Sequence, residues 1–195
     1  FIEFLYDYLQ LTKHNVSPTT YVHYKKMVDG RIKKFFEPLN LKIDELTANH
    51  INKFCESIIM DGCKQNTAIR YRALIMVAYE YAFKNDMVIT NPCAKSERPK
   101  KNEFTAGFYS KEELNQLMKV AKDDQIYVAI ALASYYGLRR SEAIGVKWSN
   151  IDFDAKRINI WHKVVQEETE EGGRKIVGYD TMKNKSSRRT MPLIP

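Results

Sequence analysis

The chain has 195 residues, 44% of them hydrophobic and 28% charged, enough for one large domain or two of about 100 residues each. No apolar run approaches the roughly 20 residues that span a bilayer, and Glu3 and Asp7 interrupt the apolar opening segment, so it does not read as a signal peptide. The net charge of +7 favours a polyanionic partner, nucleic acid first, because Lys and Arg displace counterions condensed on phosphates.

The chain opens on Phe1 rather than Met, so the natural start is expected upstream. Along Phe1–Leu11, Phe1, Leu5, Tyr8 and Leu9 form one helical stripe. Ser17-Pro18 starts a second helix, a Ser cap followed by a Pro whose missing N–H costs nothing at the first turn. Its inward side is expected to run through Tyr21, Tyr24, Val28 and Ile32. Thr47 caps a third helix with Ile51, Phe54, Cys55 and Ile58 inward, and Gly62 closes it. A long fourth helix is expected from Asn66 to about Asn85, burying Ile69, Leu74, Val77, Ala78, Tyr81 and Ala82. Together these make a compact all-α unit. Cys55, Cys63 and Cys93 are odd in number and contain no C-x-x-C pair. That argues against a disulfide framework or a zinc site and for a reducing cytosol.

Composition shifts after Asn91-Pro92. Residues 95–104 are charged and poor in apolar side chains, the best domain boundary in the chain. Lys95, Arg98, Lys100 and Lys101 there either track a phosphate backbone or simply solvate a linker. Ser110-Lys111-Glu112-Glu113 then forms a capping box. Gln125–Tyr136 is almost wholly apolar and is expected to be a buried helix stopped by Gly137. A short helix follows over Arg139–Val146. Beyond Trp148 the period changes to two. Arg157–Trp161, Lys175–Tyr179 and Arg189–Leu193 read as antiparallel strands, with the turn between the first two at Glu167–Gly173.

The densest chemistry lies in Tyr136–Asp152. A Gly ends one helix and two arginines, Arg139 and Arg140, open the next, in a position suited to an anion. Glu142, three residues on, shares a face with Arg139 and is placed to hold its side chain or backbone. Solvated arginines at an ordinary helix start account for the same pattern.

This segment, G-L-R-R-S-E-A-I-G-V-K-W-S-N-I-D, resembles the first-arginine box of tyrosine recombinases, the phage and conjugative-transposon integrases with their Xer-type relatives. Gly137, Arg139, Glu142, Ile144, Val146, Trp148 and Asp152 fill the places of that box. A second segment, Thr181–Leu193, resembles the family's K-T-x-x-S-x-R-x-I-P-L hairpin. The resemblance implies that Arg139 grips the scissile phosphate. It also implies that Lys183, with Lys185 as the alternative register, protonates the leaving 5′-oxygen, because expelling an alkoxide needs an acid beside it. Arg140 is the adjacent candidate for a backbone contact.

The first half resembles the family's core-binding domain. The implied architecture is mainly α with a small antiparallel β-sheet: a helical DNA-binding domain at 1–94, a linker at 95–104 and the N-terminal part of an α+β catalytic domain at 105–195. Candidate DNA contacts are Thr19, Thr20 and His23 on the second helix and Lys64, Asn66, Thr67 and Arg70 at the start of the fourth, or these residues are merely solvated. The implied partner is double-stranded DNA, with tetramers on paired sites for the complete protein, no membrane, and neither metal nor nucleotide cofactor. The family's H-x-x-R box and nucleophilic Tyr are expected beyond Pro195, since none of His14, His23, His50 and His162 begins such a box. The chain is therefore expected to bind DNA without cleaving it, and to expose apolar surface with marginal stability. A DNA-binding regulator, using Arg139 and Lys183 only as phosphate contacts, is the alternative function.

Overall fold

The computed structural model describes residues 1–169, 173–180 and 187–194. The chain divides into two compact units, Phe1–Thr105 and Ala106–Pro195. The described residues are mainly helical, with small antiparallel sheets in the second unit.

In the first unit, α1 (Ile2–Thr12) buries Phe4, Leu5, Tyr8 and Leu9. Ser17 caps α2 (Pro18–Met27), its Oγ accepting from the Thr20 N–H. The helix expected to continue through Ile32 instead leaves α-geometry. Val28–Ile32 forms a π turn kinked at Gly30 (φ −88°, ψ −108°), followed by α3 (Lys33–Phe36). Val28 and Ile32 are still fully buried, so the extra residue in the turn re-aims the chain without losing core contacts. Thr47 caps α4 (Ala48–Met60) in a reciprocal box with His50, and α5 (Gln65–Lys84) is the long helix.

The inward face of α5 is Ala68, Leu74, Ile75, Ala78, Tyr79 and Ala82. Val77, expected inside, is exposed, and Tyr81 is only partly buried. Apolar residues on several sides of this helix left its phase open, and the aromatic cluster decided it. Tyr79 packs against Phe1 and Phe4, and its hydroxyl donates to the Ile43 carbonyl at 2.8 Å. Phe54 stacks among Phe35, Phe36 and Tyr71 with ring centres 5.0–5.8 Å apart.

After α6 (Pro92–Lys95), the stretch read as a solvated linker is tied to the first unit. Arg72 donates to Ser96 Oγ at 2.9 Å and to the Ser96 carbonyl at 3.1 Å. The Glu97 N–H donates to Asn52 Oδ1 at 2.9 Å.

The second unit begins with α7 (Lys111–Val120), whose capping box joins Ser110 and Glu113. Next comes α8 (Tyr127–Tyr136), no residue of which is fully buried. The expectation of a buried helix is thus corrected. One side, with Ala129, Leu132, Ala133 and Tyr136, packs on a small core of Leu138, Ala143, Ile158 and Ile160. The other side leaves Val128 and Tyr135 exposed, because among the described residues no element covers it.

After α9 (Arg140–Gly145), β1 (Ile151–Asp152), β2 (Arg157–Ile160) and β5 (Arg189–Pro192) form one antiparallel sheet in the order β1-β2-β5. The register sets Ile158 opposite Met191 and Ile160 opposite Arg189. A separate hairpin pairs β3 (Lys163–Glu168) with β4 (Arg174–Tyr179). The expected turn at Glu167–Gly173 is therefore corrected, since Glu167 and Glu168 lie within β3. Acidic composition suggested a turn, yet Glu167 is buried, accepting from the Tyr179 hydroxyl and facing Lys175 at 3.5 Å. His162 lies between β2 and β3.

Candidate active site

The site is built at the α8–α9 turn. Gly137 ends α8 with φ +62°, the left-handed conformation that costs a side-chain-bearing residue most. The reversal buries Leu138 in the core and leaves Arg139 immediately before α9. At the other end of α9, a Cβ on Gly145 would stand 2.7 Å from Lys163 Cα. Only glycine permits that approach, and it fixes α9 against β3.

Glu142 occupies the centre of the site. Its side chain is 3% exposed, while that of Arg139 is 66% exposed and that of Arg189 is 29% exposed. One carboxylate oxygen accepts from Arg139 Nη1 at 2.8 Å. The other accepts from the Arg139 backbone N–H and from Arg189 Nη2, both at 3.1 Å. Arg139 Nη1 also donates to Ser187 Oγ at 3.3 Å, and Arg189 Nη1 donates to the Ser187 carbonyl at 3.1 Å. Burial alone pushes the Glu142 carboxyl up, but the hydrogen bonds from Arg139 and Arg189 outweigh it and hold it below its ordinary value. Glu142 is thus an anion that fixes two guanidinium groups.

The hydrogen bonds of the Arg139 side chain among the described residues use only Nη1. Its Nε and Nη2 edge remains available, in the geometry that holds two oxygens of a phosphate. The helix end contributes less than the sequence suggested, because α9 is a six-residue helix and a short helix sums few peptide dipoles. Arg140 is exposed at its first position.

Lys183 and Lys185 lie outside the described residues. On one side of them, Asp180 Oδ1 faces His162 Nδ1 at 2.7 Å and Lys147 Nζ at 3.1 Å. The hydrogen bond from His162, then that from Lys147, lowers the Asp180 pKa. On the other side Ser187 bonds Arg139. Sequence reasoning missed Ser187 and Arg189. Their signal was present in the S-x-R spacing of the second segment, but was not connected to Glu142.

In the first unit the candidate contacts separate. His23 and Arg70 come together, lining with Tyr24, Met27, Ala73, Leu74 and Val77 a groove of about 390 Å³ between α2 and α5. The hydroxyls of Thr19 and Thr20 are engaged with Ser17 Oγ at 3.0 and 2.8 Å, as part of the α2 cap. Lys64 is exposed at the α5 N-cap, Thr67 is half-buried in its first turn, and Lys95, Arg98 and Lys100 are exposed. Asn66 differs from the rest, because its side-chain amide is paired on both ends with the backbone of Asn102.

Among the described residues no cluster of three His, Cys, Asp or Glu could hold a metal ion. Burial pushes the Cys93 thiol up to about 12 and raises that of Cys55, so these buried thiols are poor nucleophiles. Among the described residues no helix is long and apolar enough to cross a membrane.

Residues 1–59 match the family described as phage integrase, N-terminal SAM-like domain, and residues 108–193 match the phage integrase family. A tyrosine recombinase XerC-like protein of Caldanaerobacter subterraneus subsp. tengcongensis is 24% identical over 193 residues, covering 94% of this chain and 49% of that protein. The chain thus spans about half the length of this curated relative. The fold is shared with the Tn1549 transposon integrase solved in complex with a circular intermediate DNA (TM-score 0.76, 18% identity, 98% of this chain and 61% of that one). It is also shared with a lambda integrase tetramer bound to a Holliday junction (TM-score 0.65, 19% identity, 90% of this chain and 49% of that one). The first matched segment spans α1 to most of α4 of the helical first unit and the second carries the Arg139–Glu142–Arg189 site, and the chain belongs to the tyrosine recombinase family of phage-type integrases.

Proposed function

We propose that the chain is part of a site-specific DNA recombinase that cleaves and rejoins double-stranded DNA through a 3′-phosphotyrosyl intermediate. In this reading residues 1–94 are a core-type DNA-binding domain, 95–104 connect it, and 105–195 contribute part of the catalytic domain. The observation that carries it is the exposed Arg139 guanidinium, held on a buried Glu142 with a two-nitrogen edge available for phosphate oxygens. Preorganised cations of this kind stabilise charge that develops on a transferring phosphoryl group. Lys183 is assigned as the acid for the leaving 5′-oxygen, and Arg140 as a neighbouring phosphate contact. His23 and Arg70, with Thr19, Thr20, Lys64, Thr67, Lys95, Arg98 and Lys100, are the proposed duplex contacts. Tetramers on paired sites are the proposed assembly of the complete protein.

These 195 residues contain no H-x-x-R sequence, so the chain is expected to bind duplex DNA without cleaving it. The test is a duplex titration at several salt concentrations, in which each phosphate contact contributes about −0.9 to the log–log slope. Arg139→Ala is expected to weaken binding on all sequences and to reduce the slope by about one contact. An affinity indifferent to salt would overturn the DNA reading. Covalent 3′-phosphotyrosyl DNA formed by this chain alone would overturn its expected inactivity.

A further inference from the structure

Three attachments hold the stretch after α6 against α4 and α5. Ser96 is buried under Arg72, the Glu97 N–H is bound by Asn52, and Asn102 is bound by Asn66. The last is reciprocal: Asn66 Oδ1 accepts from the Asn102 N–H at 3.1 Å, and Asn66 Nδ2 donates to the Asn102 carbonyl at 3.3 Å. The amide thus copies the pattern by which one strand pairs with another. Between the attachments Arg98, Lys100 and Lys101 are exposed. Consecutive Cα atoms stand about 3.8 Å apart, so Lys100 and Lys101 are kept within two residues of the Asn66 contact. Lys64 lies two residues before Asn66, and Arg70 follows one helical turn after it on the same face.

We propose that Asn66 is a positioning residue, a clamp that lays 97–102 along the start of α5 so that Arg98, Lys100 and Lys101 join Lys64 and Arg70 in one basic strip for a phosphate backbone. Asn66 then contributes to DNA affinity through those cations and makes no DNA contact of its own. An unclamped segment would have to be ordered on binding, and the two hydrogen bonds remove that cost beforehand. The proposal depends on the DNA reading above for its function, but the clamp itself is observable without DNA.

The experiment has two readouts. In limited trypsin digestion without DNA, Asn66→Ala is expected to be cut after Lys100 and Lys101 roughly threefold to tenfold faster than wild type, the factor one or two net hydrogen bonds supply. Asn66→Asp, which can still accept from the Asn102 N–H but cannot donate to its carbonyl, is expected to fall between them. Circular dichroism confirms that both variants fold. In duplex titration, Lys100→Ala with Lys101→Ala is expected to lower the salt slope by about 1 to 2 in the wild-type background and by clearly less in the Asn66→Ala background. Unchanged trypsin sensitivity overturns the clamp. Additive effects of Asn66→Ala and the lysine pair overturn the positioning role, because they mean that Asn66 touches DNA itself. If wild type shows no salt-dependent binding, the DNA reading fails and the strip with it, while the digestion still decides whether the clamp exists.

Discussion

The two units solve the same folding problem with different materials. The first is built on large apolar side chains, with Phe36, Phe54, Tyr79, Leu5, Leu9, Ile51 and Ile75 fully buried, and its one buried polar residue among those described is the neutral Ser96. In the second, the buried apolar residues among those described are few, and the buried polar ones include the carboxylates Glu142 and Glu167. Buried charge is costly unless paired and hydrogen-bonded, and both carboxylates are. The first unit devotes its interior to stability and the second gives part of its interior to holding cations in place. The proposed chemistry lies with the second.

The comparison is easily broken at its strongest point. Phe54→Ala removes a ring packed against three others and is expected to destabilise the first unit by about 3–5 kcal/mol. Both tryptophans, Trp148 and Trp161, lie in the second unit, so fluorescence follows that unit while helical circular dichroism is weighted to the first. The dichroism transition is expected to fall and the fluorescence transition to hold. A joint shift would show that the units unfold as one and that their contrast has no thermodynamic meaning.

Glu142→Ala attacks the second unit in the same way. It strips Arg189 and Arg139 of their carboxylate, and hydrogen bonds to charged groups are worth about 1.5–3 kcal/mol. The exposure of Arg139 places the expected loss toward the lower end. Here the fluorescence transition moves and the dichroism transition does not. Glu142→Gln, which keeps one acceptor, is expected to lose less stability but to weaken duplex binding, because the guanidinium groups are no longer oriented by charge.

How far the sequence reached follows the same division. Caps were legible because they are local: Ser17, Thr47 and Ser110 each sit at a helix start with a partner three residues on. Arg139 and Glu142 were legible for the same reason. Arg189 and Ser187 were not, because they arrive from 47 and 48 residues away and are brought in by the β2–β5 register. Phase was the other failure. In α5 and α8 apolar residues occupy several sides, so periodicity could not select Ile75 and Tyr79 over Val77 and Tyr81, or foresee an uncovered face on α8.

Acid sharpens the contrast. The folded Glu142 carboxyl lies below its ordinary value, so its contribution is complete above the unfolded value of about 4.3 and is lost as pH falls through the folded one. The fluorescence transition is expected to weaken in that window, and Glu142→Gln to flatten the dependence. The one titratable group among the ring contacts of Phe54 is the Tyr71 hydroxyl, which burial pushes further up from its alkaline ordinary value, so Phe54→Ala is expected to leave the acid profile unchanged in shape.

The smallest expected effect tests the least protected surface. Val128 is 64% exposed and Trp148 is 81% exposed, and both line an apolar depression of about 500 Å³ with Ile126, Leu132, Ile144 and Val146. Val128→Thr preserves shape and adds a hydroxyl. At a solvent-facing position this should change stability by no more than about 0.5 kcal/mol, whereas the same exchange in the first core would bury an unpaired hydroxyl. Both tryptophans remain in place, so the fluorescence transition measures the effect directly. A hydrophobic dye that binds the chain should bind the variant less, because the patch has lost apolar area. A loss of stability comparable to that of Glu142→Ala would mean that this face of α8 is packed in solution, and the second unit would then owe more to apolar burial than to its charge network.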